Sequence, residues 1–195
     1  MTMQPLQFAS YKGMGQGNLG AFQINLQRPH WYCIKKGLGK LKNYDGRFIP
    51  DTWLAQDPSL TKEDLSSREG CLFLEITSSI GKNIYDWDKK VTMALSITDI
   101  SKILCVLEGD NLQTDGSTKP AKIMHDPGAQ TSTAGKVQKW LEVSSPKGSK
   151  VGVIFNVAKK DETGTMTKHM VPLGPDEVKA LACCLRHVIP ICLAW

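Results

Sequence analysis

A chain of 195 residues is long enough for one domain with a sizeable core and short for two. Its 24 Lys and Arg against 19 Asp and Glu leave a formal charge of +5, a mild basic excess that does not by itself imply a polyanionic partner. No apolar run approaches the roughly 20 residues of a membrane helix, and the six cysteines lack a C-x-x-C pair, which excludes a spanning segment and argues for reduced core thiols over a disulfide framework.

Residues 1–28 are rich in Gly and Gln and nearly uncharged. They are expected to form a flexible tail ahead of a single domain over 29–195. They carry neither the charged and apolar regions of a secretory signal nor the repeated Arg of a transit peptide. Trp31 to Lys36 is strand-like, with Gly37 and Gly39 interrupting it as a bend or bulge. Lys40 to Tyr44 then alternates, placing Lys40, Lys42 and Tyr44 on one side. Between Trp31 and Phe48 stand Lys35, Lys36, Lys40, Lys42 and Arg47 against Asp45 alone, whereas residues 51–69 are acidic. Such segregation points to one basic face. Pro50, Pro58 and many polar residues make 45–68 read as a long connection.

Cys71 to Thr77 predicts a strand, with a turn over Ser78 to Lys82. Ile84 to Met93, if extended, projects Tyr85, Trp87, Lys89 and Val91 to one face. If Trp87 instead faces inward, Lys90 and Thr92 face outward. The period then changes. Ser96 and Asp99 form a capping box ahead of Ile100, Ile103, Leu104 and Leu107 at helical spacing, and Gly109 ends that helix. A polar loop runs to Pro120, and Met124 to Pro127 reads as a turn. Strands are predicted over 136–143, 152–158 and 165–172. Pro175 opens a last helix with Asp176 and Glu177 in its first turn. Its apolar residues Val178, Leu181, Leu185, Val188, Ile189 and Cys192, widened by Ala182 and Cys184, make it apolar nearly all round. Such a helix is expected to be buried, partly by another subunit.

Four stretches in this order carry a resemblance. They are Ile84-Tyr85-Asp86-Trp87-Asp88-Lys89-Lys90 leading to Met93-Ala94-Leu95-Ser96, then His125-Asp126-Pro127, then Ala134-Gly135-Lys136-Val137-Gln138-Lys139, and the ending Val188-Ile189-Pro190 to Trp195. Together they resemble the Whirly family of single-stranded nucleic-acid-binding proteins over roughly residues 30–195. Where plant members carry a Lys-Gly-Lys-Ala-Ala-Leu-Ser word, this chain has Lys36-Gly37-Leu38-Gly39-Lys40-Leu41-Lys42, and its stretches 45–68 and 109–122 are long. These departures make it look more like the guide-RNA-binding proteins of kinetoplastid mitochondria. The resemblance implies an α+β Whirly fold, with two four-stranded antiparallel sheets packed roughly perpendicular and two main helices at an oligomer interface. It further implies a mitochondrial heterotetramer with a related Whirly-fold subunit that binds guide RNA through its phosphates and promotes annealing to pre-mRNA in RNA editing. The alternatives are a plant-like single-stranded DNA-binding protein and an oligomeric interaction module that binds no nucleic acid.

Single-strand binders combine cations that track phosphates with flat side chains on which bases stack. The candidates here are Lys35, Lys36, Lys40, Lys42, Tyr44 and Arg47, then Lys82, Tyr85, Trp87, Lys89 and Lys90, and finally Lys136, Lys139 and Lys150. Individually, lysines on a sheet face are commonly just solvated, and Trp87 fits the core as well as a stacking surface. Trp140 is expected in the core or an interface. Lys139 shares the parity of Leu141, so only a bulge or an edge position rescues it from burial. For catalysis the best pair is His125-Asp126, but adjacent residues point apart in extended chain, and Pro127 explains them as a turn. No nucleotide-binding loop, nucleophile elbow or metal-ligand spacing is present in the sequence, so neither an enzyme nor a cofactor is expected.

Overall fold

A computed structural model of the chain describes residues 6–8, 12–13, 17–33, 59, 61–82, 84–110, 118–127, 135–146 and 152–193. The first sheet starts inside the expected tail. Strand β1 (Leu6–Phe8) pairs antiparallel with β4 (Gly20–Gln27), and β2 (Lys12–Gly13) with β3 (Gly17–Asn18) makes a short ribbon between them. The tail expectation therefore fails from Gly20 onward. In Gly20–Gln27 the buried Phe22 and Ile24 alternate with Gln23 and Asn25, a half-buried strand whose outward polar residues made the segment look solvated.

Strand β5 (His30–Cys33) pairs with β6 (Leu65–Arg68), which follows a 3₁₀ turn at Lys62–Asp64. The end of the expected connection over 45–68 is thus ordered into a strand. Strand β7 (Cys71–Gly81) is the spine of the first sheet. One edge pairs with β4; along the other, β9 (Val91–Leu95) takes residues 72–76 and β8 (Ile84–Tyr85) takes Ser79 and Gly81. The sheet is therefore four strands wide, β1-β4-β7 and then β8 with β9 sharing the last place. The turn expected at Ser78 falls later, because β7 runs straight through it.

Helix α1 (Ile97–Glu108) begins at the predicted box: Ser96 Oγ accepts from the Asp99 N–H at 3.2 Å, and the Asp99 carboxylate accepts from Ser96 N–H at 3.2 Å. It ends at Gly109 with φ of 78°, the left-handed C′ conformation that glycine adopts without strain. Four antiparallel strands make the second sheet, in the order β10 (Ala121–His125), β11 (Gln138–Ser144), β12 (Val153–Lys160) and β13 (Met166–Leu173). β10 stands between the loop expected to end at Pro120 and the turn expected over Met124 to Pro127, and takes in the first two residues of that turn. With only Ala121 and Ile123 buried, it is too short to declare a period.

Helix α2 (Pro175–Cys192) closes the chain, its Glu177 carboxylate accepting from Gly174 N–H at 2.8 Å. Burial lifts the Glu177 carboxyl above its ordinary range, and Asp176 adds to that while the Gly174 bond opposes it. Val178, Leu181, Ala182, Leu185, Val188 and Cys192 are buried, but Lys179, Arg186 and His187 are exposed. The helix is amphipathic rather than apolar all round, since the polar residues fall on one face. It packs against α1, and Arg186 donates to Glu108 at 2.6 Å across the pair.

The core lies between the sheets and runs under the helices. Phe22 of β4 and Phe155 of β12, each 1% exposed, stack across it with ring centroids 5.6 Å apart. At one corner the sheets meet through backbone. A Cβ on Gly20 would stand 2.5 Å from Thr77 O and 2.9 Å from Met170 O of β13, so β4, β7 and β13 approach there as only a glycine permits. The expected architecture, α+β with two antiparallel sheets and two helices, is the one observed.

Candidate nucleic-acid interface

The segment after β8 does not continue as a strand. Asp86 to Lys90 winds into a 3₁₀ turn over Trp87–Lys89, closed by Lys89 N–H to Asp86 O at 3.1 Å and by an Asp86–Lys89 ion pair at 3.0 Å. The turn abolishes the two-residue period, so Tyr85, Trp87, Lys89 and Val91 do not share a face as the extended reading required. Val91 is in the core and Lys89 is exposed. Tyr85 and Trp87 are half-buried and pack edge to face, 6.4 Å between centroids. His169 on β13 holds this segment in place. One ring nitrogen is 2.8 Å from Ser78 Oγ on β7, and the other is 2.8 Å from Lys89 O.

Lys90 and Thr92 face outward, as the inward reading of Trp87 had them. Lys90 Nζ lies 2.8 Å from Glu75 Oε1, Thr92 Oγ1 donates to the same oxygen at 3.1 Å, and Gln23 Nε2 donates to Oε2. Burial pushes the Glu75 carboxyl up, but the bonds from Lys90, Gln23 and Thr92 outweigh it and hold the group below its ordinary value. Lys90 is thus largely committed to a carboxylate. Lys139 is on the inner side of β11, in register with His125 of β10 and Lys159 of β12. What rescues it is its place at the open end of the core, where Nζ donates to Thr92 O at 2.7 Å. Lys82 at the β7–β8 turn and Lys136 in the turn before β11 are exposed, and neither forms an ion pair among the described residues. Lys35, Lys36, Lys40, Lys42, Tyr44, Arg47 and Lys150 lie outside the described residues.

The outer face of the second sheet was not anticipated. Leu141 and Val143 point inward, which sends Trp140 outward between Met124 of β10 and Ala158 of β12, with Lys168 of β13 beyond. Glu142, Asn156 and Met170 form the next row. Trp140 is half-buried; Met124, Met166 and Met170 are 61%, 45% and 41% exposed. Lys122 and Lys168 are exposed on the same face, and half-buried Lys160 flanks it; Lys122 is 3.3 Å from Glu142. Leu19 and Ser78 wall the β13 side, closing a cleft of about 610 Å3 lined by Trp140, Asn156, Lys168 and Met170. The strict alternation of Val153, Phe155 and Val157 would have revealed this face.

His125 is 3.3 Å from Asp99, whereas the Asp126 carboxylate accepts from Gly135 N–H at 2.7 Å. The two neighbours point to different partners, as adjacent residues do at the end of an extended strand. No cluster of His, Cys, Asp and Glu among the described residues could hold a metal ion. An aromatic side chain, flexible thioethers and ammonium groups on an open sheet can together seat a flat base beside a phosphate.

A family model described as "Whirly transcription factor" matches residues 51–184. The chain belongs to the Whirly family. Among Whirly relatives, it is 29% identical over 131 residues to "Single-stranded DNA-binding protein WHY1, chloroplastic" of Solanum tuberosum, covering 66% of this chain and 44% of that protein. It is 27% identical over 143 residues to "Single-stranded DNA-binding protein WHY2, mitochondrial" of Arabidopsis thaliana, covering 71% and 56%. The match thus spans about half the length of these relatives. The crystal structure of WHY3 from Arabidopsis thaliana superposes with a TM-score of 0.67 at 21% identity, covering 100% of this chain and 91% of that one; that likeness is one of Whirly fold. The departures that suggested a kinetoplastid branch, in residues 36–42, 45–68 and 109–122, fall mostly outside the described residues.

Proposed function

We propose that this Whirly protein binds single-stranded nucleic acid, with single-stranded DNA as the ligand, on the open face of β10–β13 and the basic ground beside it. The observation that carries the reading is that face: a half-buried Trp140 among exposed methionines, bordered by Lys122, Lys160 and Lys168, with no element covering it among the described residues. The single-stranded DNA binding for which the plant relatives are named supports DNA over the guide-RNA role, and their chloroplastic and mitochondrial names support an organellar site of action. Lys82, Lys89 and Lys136, exposed lysines of the sequence-derived set, extend the basic ground, and assembly with further Whirly subunits through the helices belongs to the same proposal.

The test is fluorescence anisotropy with a single-stranded DNA, the matched RNA and the duplex over a series of salt concentrations. The expected result is preference for single strands over duplex, with log affinity falling by about 0.7 per decade of salt for each phosphate neutralised. Trp140→Ala should weaken binding by the equivalent of about 1–3 kcal/mol for one stacked base. Equal affinity for duplex, or an indifferent Trp140→Ala, would overturn the reading. Tighter binding of the RNA than of the DNA would move the assignment to the guide-RNA branch.

A further inference from the structure

Lys139 and Lys159 sit directly opposite each other on neighbouring strands, an arrangement that is destabilising for like charges. Both are half-buried at the mouth between the two sheets. The ammonium of Lys139 donates to Thr92 O of the other sheet at 2.7 Å, and a carbonyl satisfies one of its protons without neutralising it. Neither lysine forms an ion pair among the described residues. Of the nearby carboxylates, Asp161 feels the charge of Lys159 without pairing with it, and each has its own hydrogen-bond or ion-pair partners. Asp99 faces His125 at 3.3 Å, Asp161 accepts from Thr163 Oγ1 at 2.6 Å and from Thr165 N–H at 2.9 Å, and Glu75 holds Lys90. Burial and the neighbouring Lys159 both hold the Lys139 ammonium below the ordinary lysine range. An anion set between the two would reverse the second effect and offset the first.

We infer that Lys139 and Lys159 form a built site for one phosphodiester of a bound single strand, in the crevice where β11 and β12 meet the end of β9. The inference rests on the proposed single-strand binding and deepens it. It assigns a fixed phosphate position between the sheets, next to Lys160, which points from β12 to the outer face. The strand then passes from the crevice to the Trp140 face with one phosphate pinned, which sets where the following base meets that face.

The experiment measures single-stranded DNA binding by the full chain as wild type, Lys139→Met, Lys159→Gln and the control Lys179→Gln, an exposed lysine on α2. Lys139→Met keeps the apolar stem, and melting curves establish that each variant is folded. Each crevice variant is expected to weaken binding about tenfold, as for loss of a charge-assisted contact, and to flatten the salt slope by about 0.7. The control should leave the slope unchanged. Wild-type binding with unaltered affinity and slope in both crevice variants overturns the site while leaving the function intact. Absence of wild-type binding overturns the function itself. A second arm compares melting in sodium phosphate and sodium chloride at equal ionic strength. Phosphate stabilisation that the variants abolish, alongside unchanged DNA binding, would make this a free-anion site and overturn the strand assignment.

Discussion

Replacing His169 by Phe is expected to loosen the joint between β13 and the 3₁₀ turn while preserving most of the buried volume. The ring is 8% exposed and spends both nitrogens on hydrogen bonds, at 2.8 Å to Ser78 Oγ and 2.8 Å to Lys89 O. Each bond contributes about 0.5–1.5 kcal/mol net, and an acceptor left buried without a donor costs about 1–3 kcal/mol. Ser78 and Lys89 lie near solvent, so water recovers part of that, and the sum comes to about 2–4 kcal/mol. For a domain of this size each kcal/mol lowers Tm by about 2–4 °C, giving a fall of about 4–16 °C. The assay is thermal unfolding of wild type, His169→Phe, Ser78→Ala and the double variant. The cycle should return a coupling of about 0.5–1.5 kcal/mol between His169 and Ser78. A fall of under about 2 °C for His169→Phe, or purely additive single effects, would refute the view that this ring clamps the turn.

The stacked pair across the core gives a larger effect: Phe155→Ala should cost about 3–5 kcal/mol, read as a lower denaturant midpoint with near-normal slope. A loss under about 1 kcal/mol would mean the sheets are not joined there. Glu75 predicts a pH dependence. Its carboxyl titrates below the ordinary 4.5 in the folded chain, so its contribution is complete above that ordinary value and is lost as pH falls through the lowered one. Between neutral pH and about pH 3 the wild type should therefore lose more stability than Glu75→Gln; identical acid profiles would count against the Lys90–Gln23–Thr92 arrangement.

What could be read from the residues was whatever a strong local signal declared. Ser96 with Asp99, Gly109, and Pro175 with its acidic first turn placed both helices, because caps and breakers act within a turn of their own position. Alternation placed β11, β12 and β13. The failures had local causes too. The outward Gln and Asn of β4 imitated a solvated tail, and β10 offered too few inward residues to show a period. The 3₁₀ turn at Trp87 could not be seen in a stretch that also fits a strand; what sustains it is the ion pair of Lys89 with Asp86 and the distant His169. The candidate site suffered most from this. Trp140 was expected in the core or an interface because tryptophan is usually buried, although Leu141 and Val143 had already claimed the inward positions. Lys139 lies on the inner side of β11, as its shared parity with Leu141 implied, with its ammonium on Thr92 O.

The corner at Gly20 bears on how such a protein can change over time. Since the two sheets touch there through main chain, their spacing at that corner is set by backbone and not by the size of a side chain. Side chains elsewhere in the interior can then change while that corner keeps its spacing. A side chain at position 20 would instead wedge β4 from β13 at the very wall of the cleft, between Leu19, Ser78 and Met170, and swing one surface away from the other.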